Sequence, residues 1–174
     1  MTTAFHNGQW GENNVILDLK SVFLNDGFVL HREYSFTMSK EDSSFVTPVV
    51  TEIKAENRAG IVRLLLATVF DLCKPCDRCG AEVTRKFQYT FEHFLAVSLS
   101  GDQNDDYIET PDYTLDIDEL LRSDILLEMP SKYLCREDCK GLCPKCGADL
   151  NRKDCGCVTE NTDPRLEVLQ RLMN

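Results

Sequence analysis

A chain of 174 residues with 43% apolar and 28% charged residues can bury one core and carry a small appended module. It has no run of about 18 apolar residues, so no membrane-spanning helix is expected. Its start, MTTAFHNGQWGENN, lacks the basic and apolar segments of a secretory signal, which predicts a cytoplasmic location. The net charge of −10 argues against tight binding of free nucleic acid, because phosphate binding calls for cations.

In chain order, Val15, Leu17 and Leu19 alternate as a strand would, and Asn25-Asp26-Gly27 reads as a turn. A second strand is predicted from Phe28 to Phe36, followed by a polar loop from Ser39 to Ser44. Val49, Thr51, Ile53 and Ala55 alternate up to a tight turn at residues 57–60. Ile61 to Leu72 is nearly all apolar, as a central strand is. A long returning strand, Val83 to Val97, places Phe87, Tyr89, Phe91, His93, Leu95 and Val97 on one face. That spacing favours core positions for the aromatic row over a base-stacking platform, and a core role for His93. The turn between these strands, LCKPCDRCGAE, carries three cysteines.

Residues 102–128 hold ten acids against one base, Arg122, a net −9 that leaves −1 for the rest of the chain. Asp116 fits a helix cap with Glu119 as capping-box partner. Ile117, Leu120, Leu121, Ile125 and Leu126 share one face, and Pro130 ends the helix. A last helix is predicted from Thr162-Asp163-Pro164, burying Leu166, Leu169 and Leu172. The expected fold is α+β: an antiparallel sheet, barrel-like if it curls, with two helices and a cysteine-rich zinc-binding lobe. Residues 1–130 would form the sheet domain, with its helix near 116–129. Residues 131–174 would form the lobe and C-terminal helix.

Eight of the nine cysteines form four couples: Cys76/Cys79, Cys135/Cys139, Cys143/Cys146 and Cys155/Cys157. CDRCG and CPKCG have the form of zinc knuckles, in which two sulfurs separated by two residues reach one ion and the glycine permits a left-handed turn. Two couples make one tetrahedral site, so two Zn²⁺ are expected, with Cys73 left over. Cys143, Cys146, Cys155 and Cys157 close a short loop at low entropic cost, leaving Cys76 and Cys79 to join Cys135 and Cys139. The competing scheme interleaves the two knuckles as a zinc ribbon. The spacings match neither common ferredoxin run, no βαβ pattern supports a thioredoxin-like pair, and thiolate-filled sites disfavour hydrolysis. Phosphate loops and nucleophile elbows are absent, and no enzyme or small-molecule substrate is expected.

Lys74, Arg78, Arg85 and Lys86 crowd the hairpin, and Arg136, Lys140, Lys145, Arg152 and Lys153 crowd the lobe. They can offset the formal charge of tetrathiolate sites or face RNA. CDRCG at a hairpin, IDELLRSDILLEMP, LCREDCKGLCPKCGADLNRKDCGC and a closing DPRLEVLQRLM together resemble the YceD family, named for large ribosomal RNA subunit accumulation. The resemblance implies a cytoplasmic or, in plants, plastid protein supporting 23S rRNA accumulation and large-subunit biogenesis, with no established enzymatic activity. It also implies a basic ribosomal protein as partner, since the family's genes often neighbour that of one. Lys140, Lys145, Arg152 and Lys153 are then candidates to face RNA, and Asp105, Asp106, Asp112 and Asp118 candidates to dock the basic partner. The alternative is a redox-sensitive regulator that uses zinc-bound cysteines as its sensor.

Overall fold

The structure, a computed structural model, describes residues 15–38, 44–99 and 106–157. The elements are β1 (Ile16–Asp18), α1 (Lys20–Leu24), β2 (Val29–Phe36), β3 (Val49–Arg58), β4 (Ile61–Pro75), β5 (Glu82–Ala96), β6 (Tyr107–Glu109), β7 (Thr114–Asp116) and α2 (Ile117–Glu128). They fall into two compact units. Among the described residues, one comprises those up to Cys73 with those from Thr84 to Pro130; the other comprises Lys74–Val83 with those from Ser131 on.

Period-two alternation builds the first unit. On β3, Val49, Thr51, Ile53, Ala55 and Asn57 are buried, opposite buried Val62, Leu64, Leu66, Thr68 and Phe70 of β4. The register Ile53↔Leu66, Ala55↔Leu64 and Thr51↔Thr68 puts these on one face, as directly opposed strand residues must be. Ala59 (φ 55°) and Gly60 (φ 86°) make the two-residue turn between them, both left-handed as a type I′ hairpin requires. Phe70 stacks on Phe87 at 5.6 Å and touches Tyr89 at 6.0 Å, and Tyr89 meets Phe91 at 5.9 Å. The aromatic row thus packs ring against ring on one face of the sheet, but Phe87, Tyr89 and Phe91 are half-buried rather than in the core as expected.

The sheet order is β2-β3-β4-β5-β6, with a separate β1-β7 ribbon. Two expectations change. Among the described residues the sheet is open rather than barrel-like: three-residue β6 pairs only with β5 and offers too short a ladder to close onto eight-residue β2. Nor is the sheet wholly antiparallel, because β6 runs parallel to β5 through Phe94↔Tyr107 and Ala96↔Glu109.

The acidic-capped helix forms as its sequence predicts. Asp116 accepts from the Glu119 N–H at 3.0 Å, and α2 ends before Pro130. Its buried stripe is Ile117, Leu121 and Ile125, whereas Leu126 is 61% exposed and so does not belong to it. His93 is satisfied but half-buried rather than in the core: its Nε2 hydrogen-bonds Asp124 of α2 at 2.8 Å. Leu19 does not continue a strand; it opens α1. The carbonyls of Val22 and Phe23 receive Asn57 Nδ2, each at 2.9 Å, so a buried β3 residue satisfies the end of this short helix. The second helix of the described residues is thus α1. The helix expected from residue 162 lies outside them.

Candidate metal centre

The second unit is built around two copies of one local structure. In CDRCGA, Cys76 N–H donates to Ala81 O and Gly80 N–H to Cys76 O, both at 2.8 Å. In CPKCGA, Cys143 N–H donates to Ala148 O and Gly147 N–H to Cys143 O, again both at 2.8 Å. Gly80 and Gly147 have φ of 70° and 72°, the left-handed turn for which glycine is suited. Each turn brings its two sulfurs within 4.8 Å of each other.

The sulfurs gather as two fours. Cys76, Cys79, Cys135 and Cys139 have their sulfurs within 4.8 Å of one another, and so do Cys143, Cys146, Cys155 and Cys157. The interleaved ribbon is not the arrangement found, because the short loop 143–157 closes on itself. Cys73 joins neither group; it is half-buried near the end of β4, where its N–H donates to Ser44 O at 2.7 Å. All nine cysteines are free thiols.

The first cluster fits a tetrahedral cation in detail. Cys76 Sγ and Cys139 Sγ are 3.8 Å apart, and Cys79 Sγ and Cys135 Sγ are 3.7 Å apart. Metal–sulfur bonds of about 2.3 Å in tetrahedral geometry space the sulfurs by about 3.8 Å. Electrostatics point the same way. Burial raises the Cys76 thiol, but backbone N–H groups of Cys135, Cys79 and Arg78 outweigh it and bring it down to about 6. The N–H groups of Cys146 and Lys145 hold Cys143 at about 6. In each cluster another proton resists removal. Hydrogen bonding to Cys139, then burial, pushes Cys135 up to about 12; hydrogen bonding to Cys146 and Cys155, then burial, does the same to Cys157. Four thiolates cannot share so small a space unaided, and a central divalent cation removes the conflict. Such a site has four protein ligands and no open position.

The sequence model of the family described as "Large ribosomal RNA subunit accumulation protein YceD" matches residues 66–173, a span containing all eight clustered cysteines. The chain belongs to the YceD family. It is similar to the maize "Large ribosomal RNA subunit accumulation protein YCED homolog 1, chloroplastic", with 40% identity over 66% of this chain and 50% of that protein. An uncharacterized protein of Mycobacterium tuberculosis is 30% identical over 56% of this chain. The uncharacterized protein YlbN of Bacillus subtilis is 26% identical over 79% of this chain and 81% of its own. The chain spans about half the length of the mycobacterial and maize relatives it matches, 49% and 50%. No solved structure matches it significantly.

Around the YceD clusters, several residues without a motif hold the geometry. Tyr133 is buried; its N–H donates to Asp77 Oδ2 at 2.6 Å, its carbonyl accepts from Asp77 N at 2.9 Å, and its hydroxyl donates to Val83 O at 3.1 Å. These bonds bring the segment before Cys135 against the first knuckle. Arg78 Nη1 donates to Cys139 O at 2.7 Å, and Asn151 Nδ2 donates to Cys139 Sγ at 3.4 Å. Lone polar residues between cysteines carry no periodic signal, so only the tertiary structure reveals them.

The charged candidates are distributed unevenly. Lys140, Lys145, Arg152 and Lys153 are all exposed on the cysteine lobe, with Arg152 3.4 Å from Asp149. Arg78 and Arg136 serve inside the lobe, Arg136 reaching Asp138 at 3.3 Å and Asn151 at 2.8 Å. Asp106 and Asp112 are exposed, and Asp105 lies outside the described residues. Asp118 departs from its expected docking role. It is only 7% exposed and accepts the Tyr34 hydroxyl, because the first turn of α2 lies against the sheet rather than in the acidic surface. No helix among the described residues is long and apolar enough to cross a membrane.

Proposed function

We propose that this YceD protein is a non-catalytic factor, stapled by two Zn²⁺, that supports 23S rRNA accumulation and large ribosomal subunit biogenesis in the cytoplasm. The observation carrying the reading is that the family match spans both four-sulfur clusters. The matched span thus includes both clusters together with β5 and α2. Zinc is the cation chosen by an all-thiolate tetrahedral donor set. Cys76, Cys79, Cys135 and Cys139 hold one ion; Cys143, Cys146, Cys155 and Cys157 hold the other. Each ion cross-links chain segments and contributes folding energy, with no coordination position left for a substrate.

The exposed bases of the lobe, Lys140, Lys145, Arg152 and Lys153, face RNA in the pre-ribosomal particle. The acidic surface including Asp106 and Asp112 captures a basic ribosomal protein, with electrostatics acting mainly on association rate. Depletion of the protein followed by gradient analysis is expected to lower large-subunit particles and 23S rRNA. Re-expression with the four lobe bases changed to Glu should fail to restore them, while Asp106→Asn/Asp112→Asn should lower recovery of a basic partner. Normal large subunits after full depletion would sink the reading.

A second reading draws on Cys146, the exposed member of its cluster, as a redox sensor. Mild peroxide that releases metal with a Cys143–Cys146 disulfide, and changes subunit levels, would replace the structural role with this one.

A further inference from the structure

Asn151 sits on the loop between Cys146 and Cys155, which closes the second cluster, yet its side chain serves the first. Nδ2 donates to Cys139 Sγ at 3.4 Å and to Asp149 Oδ1 at 2.9 Å. Oδ1 accepts from Lys140 N and from Arg136 Nη2, both at 2.8 Å. The backbone N–H of Asn151 donates to Asp149 Oδ1 at 2.9 Å, which fixes the side chain's base. Donor and acceptor ends are therefore both in use, and the donor end reaches a ligand sulfur. An amide N–H against a thiolate withdraws charge from it and sets its orientation, which is how outer partners tune a metal ligand.

The backbones of the two clusters also meet. Arg78, inside the first knuckle, donates its guanidinium to Cys139 O at 2.7 Å and accepts Leu142 N–H on its own carbonyl at 3.1 Å. Gly141, with φ 77°, carries the contact: a Cβ there would lie 2.9 Å from Arg78 O. Gly141 O in turn accepts Leu150 N–H at 3.0 Å, one residue before Asn151. The strip 140–151 is thus held by the first knuckle at one end and by the second cluster's loop at the other.

We propose that the two cysteine sites are energetically coupled, with Asn151 the positioning residue through which order in the second site's loop strengthens the first site at Cys139. Closing the second site on its ion restricts residues 147–154 and so keeps the Asn151 amide on the Cys139 sulfur. By linkage, filling the first site then strengthens the second by the same factor. The coupling rests on the reading that the clusters hold metal, and the test separates the two.

The full-length protein is titrated with Co²⁺ under reducing conditions, with a chelator in competition, and the thiolate charge-transfer bands are followed. Cys76→Ser/Cys79→Ser identifies the second site's signal. Asn151→Ala is expected to weaken the first site about 10- to 100-fold and shift its charge-transfer band, with the first loading of the second site little changed. Asn151→Asp keeps the acceptor for Lys140 and Arg136 but sets a carboxylate against the thiolates, so it should weaken the first site beyond Asn151→Ala. Cys155→Ser/Cys157→Ser should also weaken the first site. If wild type takes up two ions but the first site is unmoved in these variants, the coupling is wrong while the metal reading stands. Wild-type affinity in Asn151→Asp would overturn the donor role. A wild-type chain that takes up no Co²⁺ overturns both.

Discussion

Asp118 and Gly141 look unremarkable in the sequence and are tightly constrained by their neighbours. The Asp118 carboxylate is nearly buried beneath Tyr34, whose hydroxyl it accepts. Burial first, then the hydrogen bond and charge of Asp118, raise the Tyr34 phenol above its usual value. A raised phenol favours the protonated folded state, so this stabilisation is complete below about pH 10, the unfolded value, and is lost as pH climbs beyond it. We expect the urea midpoint to fall above that pH and Tyr34→Phe to flatten the fall. At neutral pH the same variant should cost about 1–3 kcal/mol, since Asp118 loses its hydroxyl donor. At Gly141, Ala meets both a left-handed φ and the carbonyl of Arg78 at 2.9 Å. Gly141→Ala should destabilise the cysteine lobe by about 1–3 kcal/mol, read as weaker metal retention against a chelator. Gly147→Ala, with open space around its Cβ, has only the backbone strain to bear and should cost less.

Among the elements, α2 is where local and tertiary demands agree most closely. Asp116 leaves the end of β7 and caps the helix by accepting Glu119 N–H at 3.0 Å. Asp116→Ala should therefore cost about 1 kcal/mol in equilibrium unfolding, and Asp116→Asn, which can still accept that bond, should recover most of it. The helix was legible because its cap, its stripe at Ile117, Leu121 and Ile125, and its stop at Pro130 are all local signals. Alternation made β3, β4 and β5 legible for the same reason. By contrast, α1 is five residues long, too short for a periodic signal, and its end is satisfied by Asn57 from more than thirty positions away. Strand β6 is three residues long, and its parallel pairing with β5 is a property of the path of the chain, not of the letters in it.

At the scale of the whole molecule, the two units draw on different sources of stability. The first has a continuous apolar core: Val49, Ile53, Leu64, Leu66, Phe70, Leu95, Leu121 and Ile125 are all essentially buried. In the second, the buried apolar side chains among the described residues are Tyr133, Cys76, Cys139 and Cys143, three of them cluster cysteines. With so few apolar side chains, the proposed metal cross-links would be the main source of order in this unit. Stripping metal with a strong chelator should therefore remove hydrogen-exchange protection at Leu142, Gly147 and Leu150. Protection along β3 and β4 should persist. Loss of both together would mean that the units unfold as one.

The sequence by itself determined the knuckles, the long strands, the capped helix and the family, because each is written in neighbouring residues whose spacing obeys a local rule. Cysteine couples at two-residue spacing must present paired sulfurs, and alternation must present one apolar face. The short loop 143–157 already favoured the grouping of couples that is found; only the tertiary structure decided that the sheet stays open, that Asp118 is buried, and that Asn151 serves Cys139. Those outcomes depend on which distant segments meet. Loop-closure entropy favours short closures such as 143–157 but varies only slowly with length, so for contacts between distant segments packing makes the choice.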